Sequence, residues 1–141
     1  MIVLLVRHAR AGKRWDWEGD DRLRPLDKKG RRQARGLVEL LDAYPVDRIL
    51  SSPYVRCVQS VEPLSEALGI RLEQSIELAE GQERADVLRL LEGSDAGCPV
   101  LCTHGDVVVE VLGEVLRKGE TQVLELEDGI FKPRERLPRP S

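Results

Sequence analysis

The stretch LLVRHARAG (residues 4–12) joins an aliphatic run directly to an arginine and a histidine. Residues 2–6 (Ile-Val-Leu-Leu-Val) are continuously apolar, which suits a central strand covered on both faces. A solvated strand end would accept almost any polar pair. A strand that ends in Arg7 and His8 instead carries a forked cation and an imidazole to one end of a sheet. In open α/β sheets, ligands sit outside the carboxyl ends of the strands.

Working outward, the polar residues 9–29 read as a long surface loop. Ala34, Leu37, Val38 and Leu41 form an i, i+3, i+4, i+7 stripe over 30–43, an amphipathic helix that Asp27 is placed to cap. DRILSS (47–52) is a second strand ending in small polar residues. The segment from Ser52 to Leu68 reads as a helix with Ser52 as N-cap and Pro53 at the first position, and with Pro63 expected to kink it. Residues 70–78 read as an edge strand leading to a helix at 83–92. CPVLCTH (98–104) is another buried strand, followed by a helix over 106–117 with Val107, Val108, Val111, Leu112 and Val115 inward. Residues 122–127 form a last strand. The basic, proline-rich residues 132–141 are expected to be a disordered tail behind a domain of residues 1–131. Alternating strands and helices predict an α/β fold, a three-layer α/β/α sandwich with a mostly parallel sheet.

At 141 residues the chain is expected to form one domain. Its 22 basic and 25 acidic residues leave a net charge of −3, which gives no case for a nucleic-acid or membrane partner. The three cysteines, Cys57, Cys98 and Cys102, form no CxxC pair and suit reduced thiols in a cytoplasmic protein. With two histidines and scattered cysteines, no metal site is expected. MIVLLV, followed at once by Arg7, is too short for a signal h-region or a spanning helix.

Three predicted strands run into polar residues at their carboxyl ends: VRH (6–8), LSS (50–52) and CTH (102–104). The first and third deliver the protein's two histidines, and the second leads into a helix with Arg56 in its first turn. Arg7, His8, Arg56 and His104 would then meet at one rim. Paired arginines match the geometry of a phosphoryl group. A neutral His8, its protonation disfavoured by nearby cations, can attack phosphorus and form a phosphohistidine that water later hydrolyses. His104 can donate to the equatorial oxygens. An acid for the leaving group would come from Glu77, Glu80 or Glu83. Arginines and histidines neutralise the charge, so no cofactor is expected. Taken singly, each of these residues is more often an ordinary polar side chain than a catalytic one, and the case rests on their convergence.

These residues resemble the histidine phosphatase superfamily, in its phosphoglycerate mutase-like branch. LLVRHARAG resembles the family's Arg-His-Gly signature, RPLDKKGRRQA its Pro-Leu-Thr/Ser-x-x-Gly-x-x-Gln-Ala segment, LSSPYVRCVQS its Ser-Ser-Pro-x-x-Arg-x-x-Gln-Thr segment, and LCTHGD its Ser/Thr-His-Gly motif. The four occur in family order across residues 1 to about 127. The resemblance implies a metal-independent phosphatase with His8 as phosphorylated nucleophile, and Arg7, Arg56 and His104 around the phosphate. It implies Glu80 as proton donor, and Arg24 and Gly105 beside the phosphate. Ala9 departs from the pattern, standing where a glycine is usual.

The short length resembles bacterial phosphohistidine phosphatases and the phosphatase domain fused behind Nudix hydrolases. No Nudix box is present, so a stand-alone version is expected. The substrate would be a phosphorylated small molecule, a nucleotide or a phosphohistidine protein. Lys13 and Arg14 could bind extra phosphates, and Trp15 or Trp17 could stack on a base or simply pack on the body. The alternative to an enzyme is a phosphate-binding regulatory module with little turnover. Oligomeric state is open.

Overall fold

The structure, a computed structural model, describes all of residues 1–141. Six strands and four α-helices alternate along most of the chain: β1 (Ile2–Arg7), α1 (Lys28–Leu40), β2 (Arg48–Ser51), α2 (Val55–Leu68), β3 (Leu72–Gln74), α3 (Arg84–Leu91), β4 (Pro99–Thr103), α4 (Gly105–Leu112), β5 (Thr121–Glu127) and β6 (Ile130–Leu137). Short 3-10 turns occupy Arg14–Asp16, Asp21–Leu23 and Ile76–Leu78. The strands form one sheet in the order β3-β2-β4-β1-β5-β6. The first four of these run parallel, and β5 and β6 pair antiparallel at one edge.

The aliphatic run of β1 is buried because it lies mid-sheet with a hydrophobic layer on each face. Leu4 and Val6 face Leu37 of α1, Leu41 at its C-cap, and Cys57, Val61 and Leu64 of α2. Val3 and Leu5 face Val87 and Leu91 of α3 and Val107, Val108 and Val111 of α4. This is the expected three-layer α/β/α sandwich, and its central strands end together at one rim. Leu4, Leu5 and Leu101 are fully buried, so truncating any of them to alanine should cost about 2–5 kcal/mol.

Five expectations are corrected. The tail is ordered: Ile130–Leu137 pairs with β5 through a two-residue turn in which Asp128 and Gly129 both have positive φ. Asp-Gly is suited to that hairpin turn. The strand is exposed and charged, with Pro133 at the sheet edge, features that discourage further pairing. Helix α2 begins at Val55 with Tyr54 as N-cap, and the Ser52 hydroxyl accepts the Tyr54 N–H just ahead of it. Pro63 sits inside α2 without ending it. The edge strand is three residues long, with a 3-10 turn in place of its second half. Helix α4 stops at Leu112, where Gly113 takes the left-handed conformation at its C-terminus. Val115 is therefore 65 % exposed rather than inward.

Candidate active site

Strand β1 carries Arg7 and His8 to the rim, and the surrounding backbone holds them there. The His8 N–H donates to the Thr103 carbonyl at 3.1 Å, and the Gly119 N–H donates to the carbonyls of Arg7 and His8. The His8 ring is 5 % exposed, with Nδ1 2.8 Å from the Ala9 carbonyl oxygen. A carbonyl can only accept, so Nδ1 carries the proton and Nε2 keeps its lone pair. Burial pushes the His8 pKa down to about 3; the Ala9 carbonyl opposes this, while His104, Arg56 and Arg7 add to it. The neighbouring cations that the sequence reading held responsible thus come second to burial. His8 is a neutral imidazole with its nucleophilic nitrogen set by its own backbone.

His104 follows β4 as the N-cap of α4, its ring centroid 5.6 Å from that of His8. Its Nε2 lies 2.8 Å from the Ser52 hydroxyl, which already accepts the Tyr54 N–H. The Ser52 proton can be donated to Nε2, a tautomer that carries the His104 proton on Nδ1, a buried atom with no protein partner. Tyr54 packs edge-on against the His104 ring, and Cys57 Sγ approaches Nε2 at 3.5 Å. Arg7 donates through NH1 to the Leu116 carbonyl at 2.6 Å, while its Nε is unpartnered. A Cβ at Gly105 would lie 2.9 Å from Arg7 Cζ, so a side chain there would push the guanidinium aside.

The two middle motifs are scaffolding for this rim. Ala9 has no positive φ, is buried against Ala11, Leu26 and Ala34, and donates its N–H to Ser60 Oγ. A glycine is not required there. Asp27 accepts from the Gly30 N–H and caps α1, and a Cβ at Gly30 would lie 1.8 Å from the Arg10 carbonyl oxygen. Gln33 accepts the Arg10 N–H, and Gln59 accepts that of Leu26. The PLDKKGRRQ and SSPYVRCVQS segments are thus tied to the loop that follows His8.

A cavity of about 690 Å³ opens over His8. Of the predicted residues, Arg7, Arg24, Glu80, His104 and Gly105 line it, as do Lys13 and Arg14. Trp15 lines it too, whereas Trp17 turns away and donates Nε1–H to the Asp20 carbonyl. Arg56 does not line it. Its guanidinium is buried and held by Asp21, NH1 on the backbone carbonyl at 2.9 Å and NH2 on the carboxylate at 3.1 Å. Of the three candidate acids, Glu77 is bonded to Ser75 and Glu83 starts α3, so Glu80 alone reaches the cavity. Its carboxylate is salt-bridged to Arg14 at 2.7 Å and lies 3.7 Å from Arg56.

Three participants were missed. Asp21 gathers Arg14, Arg24 and Arg56 around one carboxylate, at 3.5, 2.9 and 3.1 Å; burial, the largest single influence, raises its pKa, but the arginines together outweigh it and hold the carboxyl below the usual range. Its spacing three residues before Arg24 was the available signal. Asp106 accepts the Gly81 N–H at 2.8 Å and so anchors the Glu80 loop to α4. Lys118 lines the cavity from the loop before β5. Nothing local marks it, since its place depends on the early end of α4.

A profile of the histidine phosphatase superfamily (branch 1) matches residues 3–86, more than half of the chain. The chain belongs to this superfamily. Among curated proteins, an 8-oxo-(d)GTP phosphatase from Mycolicibacterium smegmatis is 41 % identical over 144 residues. That match covers 90 % of this chain and 45 % of the relative, so the chain spans about half of the protein it matches. Among solved structures, the protein histidine phosphatase SixA complexed with tungstate superposes with a TM-score of 0.82 at 22 % identity, covering 97 % of this chain and 96 % of that one. The alpha-ribazole phosphatase from Shigella flexneri gives 0.76 at 16 %, covering 95 % of each. At these identities the two structures establish the histidine phosphatase fold and no more. No helix is long and apolar enough to cross a membrane.

Proposed function

We propose that this chain is a phosphatase that works through a covalent phosphohistidine on His8, without a metal. The observation that carries the reading is the His8 ring itself: neutral, with its proton on Nδ1 toward the Ala9 carbonyl and its Nε2 lone pair at a cation-lined cavity. In the first step Nε2 forms a bond to phosphorus as the bond to the leaving oxygen breaks in line. Arg7 and the Nδ1–H of His104 take the charge on the equatorial oxygens. In the second step water attacks phosphorus, the N–P bond breaks, and the water proton passes to solvent as inorganic phosphate leaves.

Asp21 occupies the arginines much as a phosphoryl group would. An entering dianion competes with that carboxylate for Arg24 and Arg56, and draws Arg14 from Glu80. Released in this way, Glu80 can serve as the acid for a poor leaving group. The substrate is a phosphorylated small molecule or a phosphohistidine side chain. The name of the M. smegmatis relative, which is that of a nucleotide phosphatase, favours the former.

The test is to incubate the protein with a ³²P-labelled aryl phosphate and quench in alkali, where phosphohistidine survives. Label should appear on wild type, vanish on acidification, be absent from His8→Ala, and be unaffected by chelator. Full turnover by His8→Ala would overturn the mechanism, and loss of turnover in chelator would overturn its metal independence.

A further inference from the structure

The first half of α1 carries Lys28, Lys29, Arg31, Arg32 and Arg35 and no acidic side chain, on a chain whose net charge is −3. Lys28, Arg31, Arg32 and Arg35 are exposed and recur at i, i+3, i+4 and i+7, which puts them on one face of the helix. None of the five takes part in an ion pair. Arg31 donates to the Leu26 carbonyl at 3.0 Å and otherwise faces solvent.

This arrangement works against the helix that carries it. Lys28 and Lys29 stand in the first turn, where the helix dipole favours carboxylates. The pairs Lys28–Arg32 and Arg31–Arg35 set like charges four residues apart, which is also unfavourable. A local rule broken with no gain to the fold marks a surface that serves another purpose.

The face also has a defined place and length. Asp27, the N-cap of α1, pairs with Arg10 at 2.9 Å and donates its N–H to the Arg10 carbonyl at 3.1 Å. Arg10 follows His8 by two residues, so the basic face begins at the rim that holds the nucleophile. From Lys28 to Arg35 it runs about 10 Å along the helix. Carboxylates bound it. Exposed Glu39 and Asp42 follow along the chain. Exposed Glu62 and Glu66 stand on the α2 side of a groove of about 340 Å³ that Arg31 and Arg35 also line.

These limits select the partner. A nucleic acid presents its phosphates as a continuous track, which would run past the stripe onto those carboxylates. Neither the stripe nor the groove offers an aromatic ring on which a base could stack. A membrane surface would be met by cations flanked with exposed apolar side chains, and none of the large exposed hydrophobic residues lies on α1. A short acidic protein segment with carboxylates at helical spacing matches both the sign and the length.

We propose that the basic face of α1 is a docking surface for an acidic segment of a partner protein, held beside the mouth of the His8 cavity. The partner's carboxylates pair with Lys28, Arg31, Arg32 and Arg35. This docking does not rest on the phosphohistidine reading, and its test is independent of turnover.

The probe is a fluorescein-labelled helical peptide with glutamate at i, i+3, i+4 and i+7, followed by fluorescence anisotropy. It is compared with its lysine counterpart, a single-stranded DNA oligonucleotide and phosphatidylserine vesicles. The glutamate peptide should bind more tightly than the other three and weaken as salt is raised. Arg31→Glu combined with Arg35→Glu should weaken it about 10-fold and turn the preference to the lysine peptide, with hydrolysis of an aryl phosphate changed less than about 2-fold. Lys28→Glu replaces a repelling pair with an attractive one to Arg32 and suits the dipole. It should weaken the peptide and raise Tm by about 2–4 °C. Absence of peptide binding, binding that survives the Arg31 and Arg35 reversal, or equal binding of DNA or vesicles overturns the docking surface. An unchanged or lower Tm in Lys28→Glu overturns the claim that this face is held against the preference of its own helix.

Discussion

Replacing His8 with asparagine should change how the fold responds to acid, by an amount that follows from one ring. The folded protein holds this imidazole at a pKa of about 3, against the ordinary 6.5 of a free histidine, chiefly because it is buried. Between those values the unfolded chain binds a proton that the native state does not, so stability must fall as pH falls from 6.5 toward 3. Each pH unit well inside that window is worth about 1.36 kcal/mol. Going from pH 7 to pH 5 enters it by 1.5 units, which removes about 2 kcal/mol. Asparagine can still donate to the Ala9 carbonyl but does not titrate. The carboxylates that also weaken the fold in acid are common to both proteins and cancel in the comparison. Urea unfolding at pH 7 and pH 5 should therefore show wild type losing about 2 kcal/mol more than His8→Asn. An equal loss in the two proteins, or a His8 resonance that titrates near 6.5 by NMR, would refute the neutral nucleophile.

Three further outcomes test the surroundings of that ring. Gly105→Ala should displace the Arg7 guanidinium and lower kcat/KM about 100-fold, the scale of a 1 Å misplacement, with little change in Tm because Arg7 is flexible at its far end. Asp21→Asn should destabilise by about 2 kcal/mol, since it leaves Arg56 buried beside no carboxylate but Glu80. Millimolar phosphate should then raise its Tm more than that of wild type, measured by thermal scanning. Glu80→Gln should slow hydrolysis of an alkyl phosphate about 100-fold while phosphohistidine hydrolysis falls less than about 5-fold. Equal loss on both substrates would remove the acid role.

The rim was legible because its residues occupy strand ends, where a run of apolar residues fixes the direction of the next side chains. Arg7, His8 and His104 needed only the strand pattern and the rule about carboxyl ends. Ala9 illustrates the reverse. It departs from a glycine signature, yet its φ is not positive and its methyl simply joins Ala11, Leu26 and Ala34. The tail was misjudged on composition. Three prolines and four basic residues read as disorder, but Asp128-Gly129 is a hairpin turn and outweighed the strand's poor propensity.

Arg56 shows what the one-dimensional pattern could not hold. Its place in the first turn of α2 was correct, and its type suits a phosphate. Whether a guanidinium faces a ligand depends on what else reaches it, and here Asp21 does, from a loop 35 residues earlier that no periodicity constrains. The same loop binds Arg24 and Arg14, so one carboxylate sets the partners of three predicted phosphate ligands at once. Arg14, Arg24 and Arg56 are therefore paired with one carboxylate in the absence of substrate, which limits the cost of keeping Arg56 buried. An anion that enters must outcompete Asp21. A dianionic phosphoryl group can do so, where a singly charged ion would not. Selectivity for highly charged phosphates then arises from the competition itself, before any contact with the leaving group.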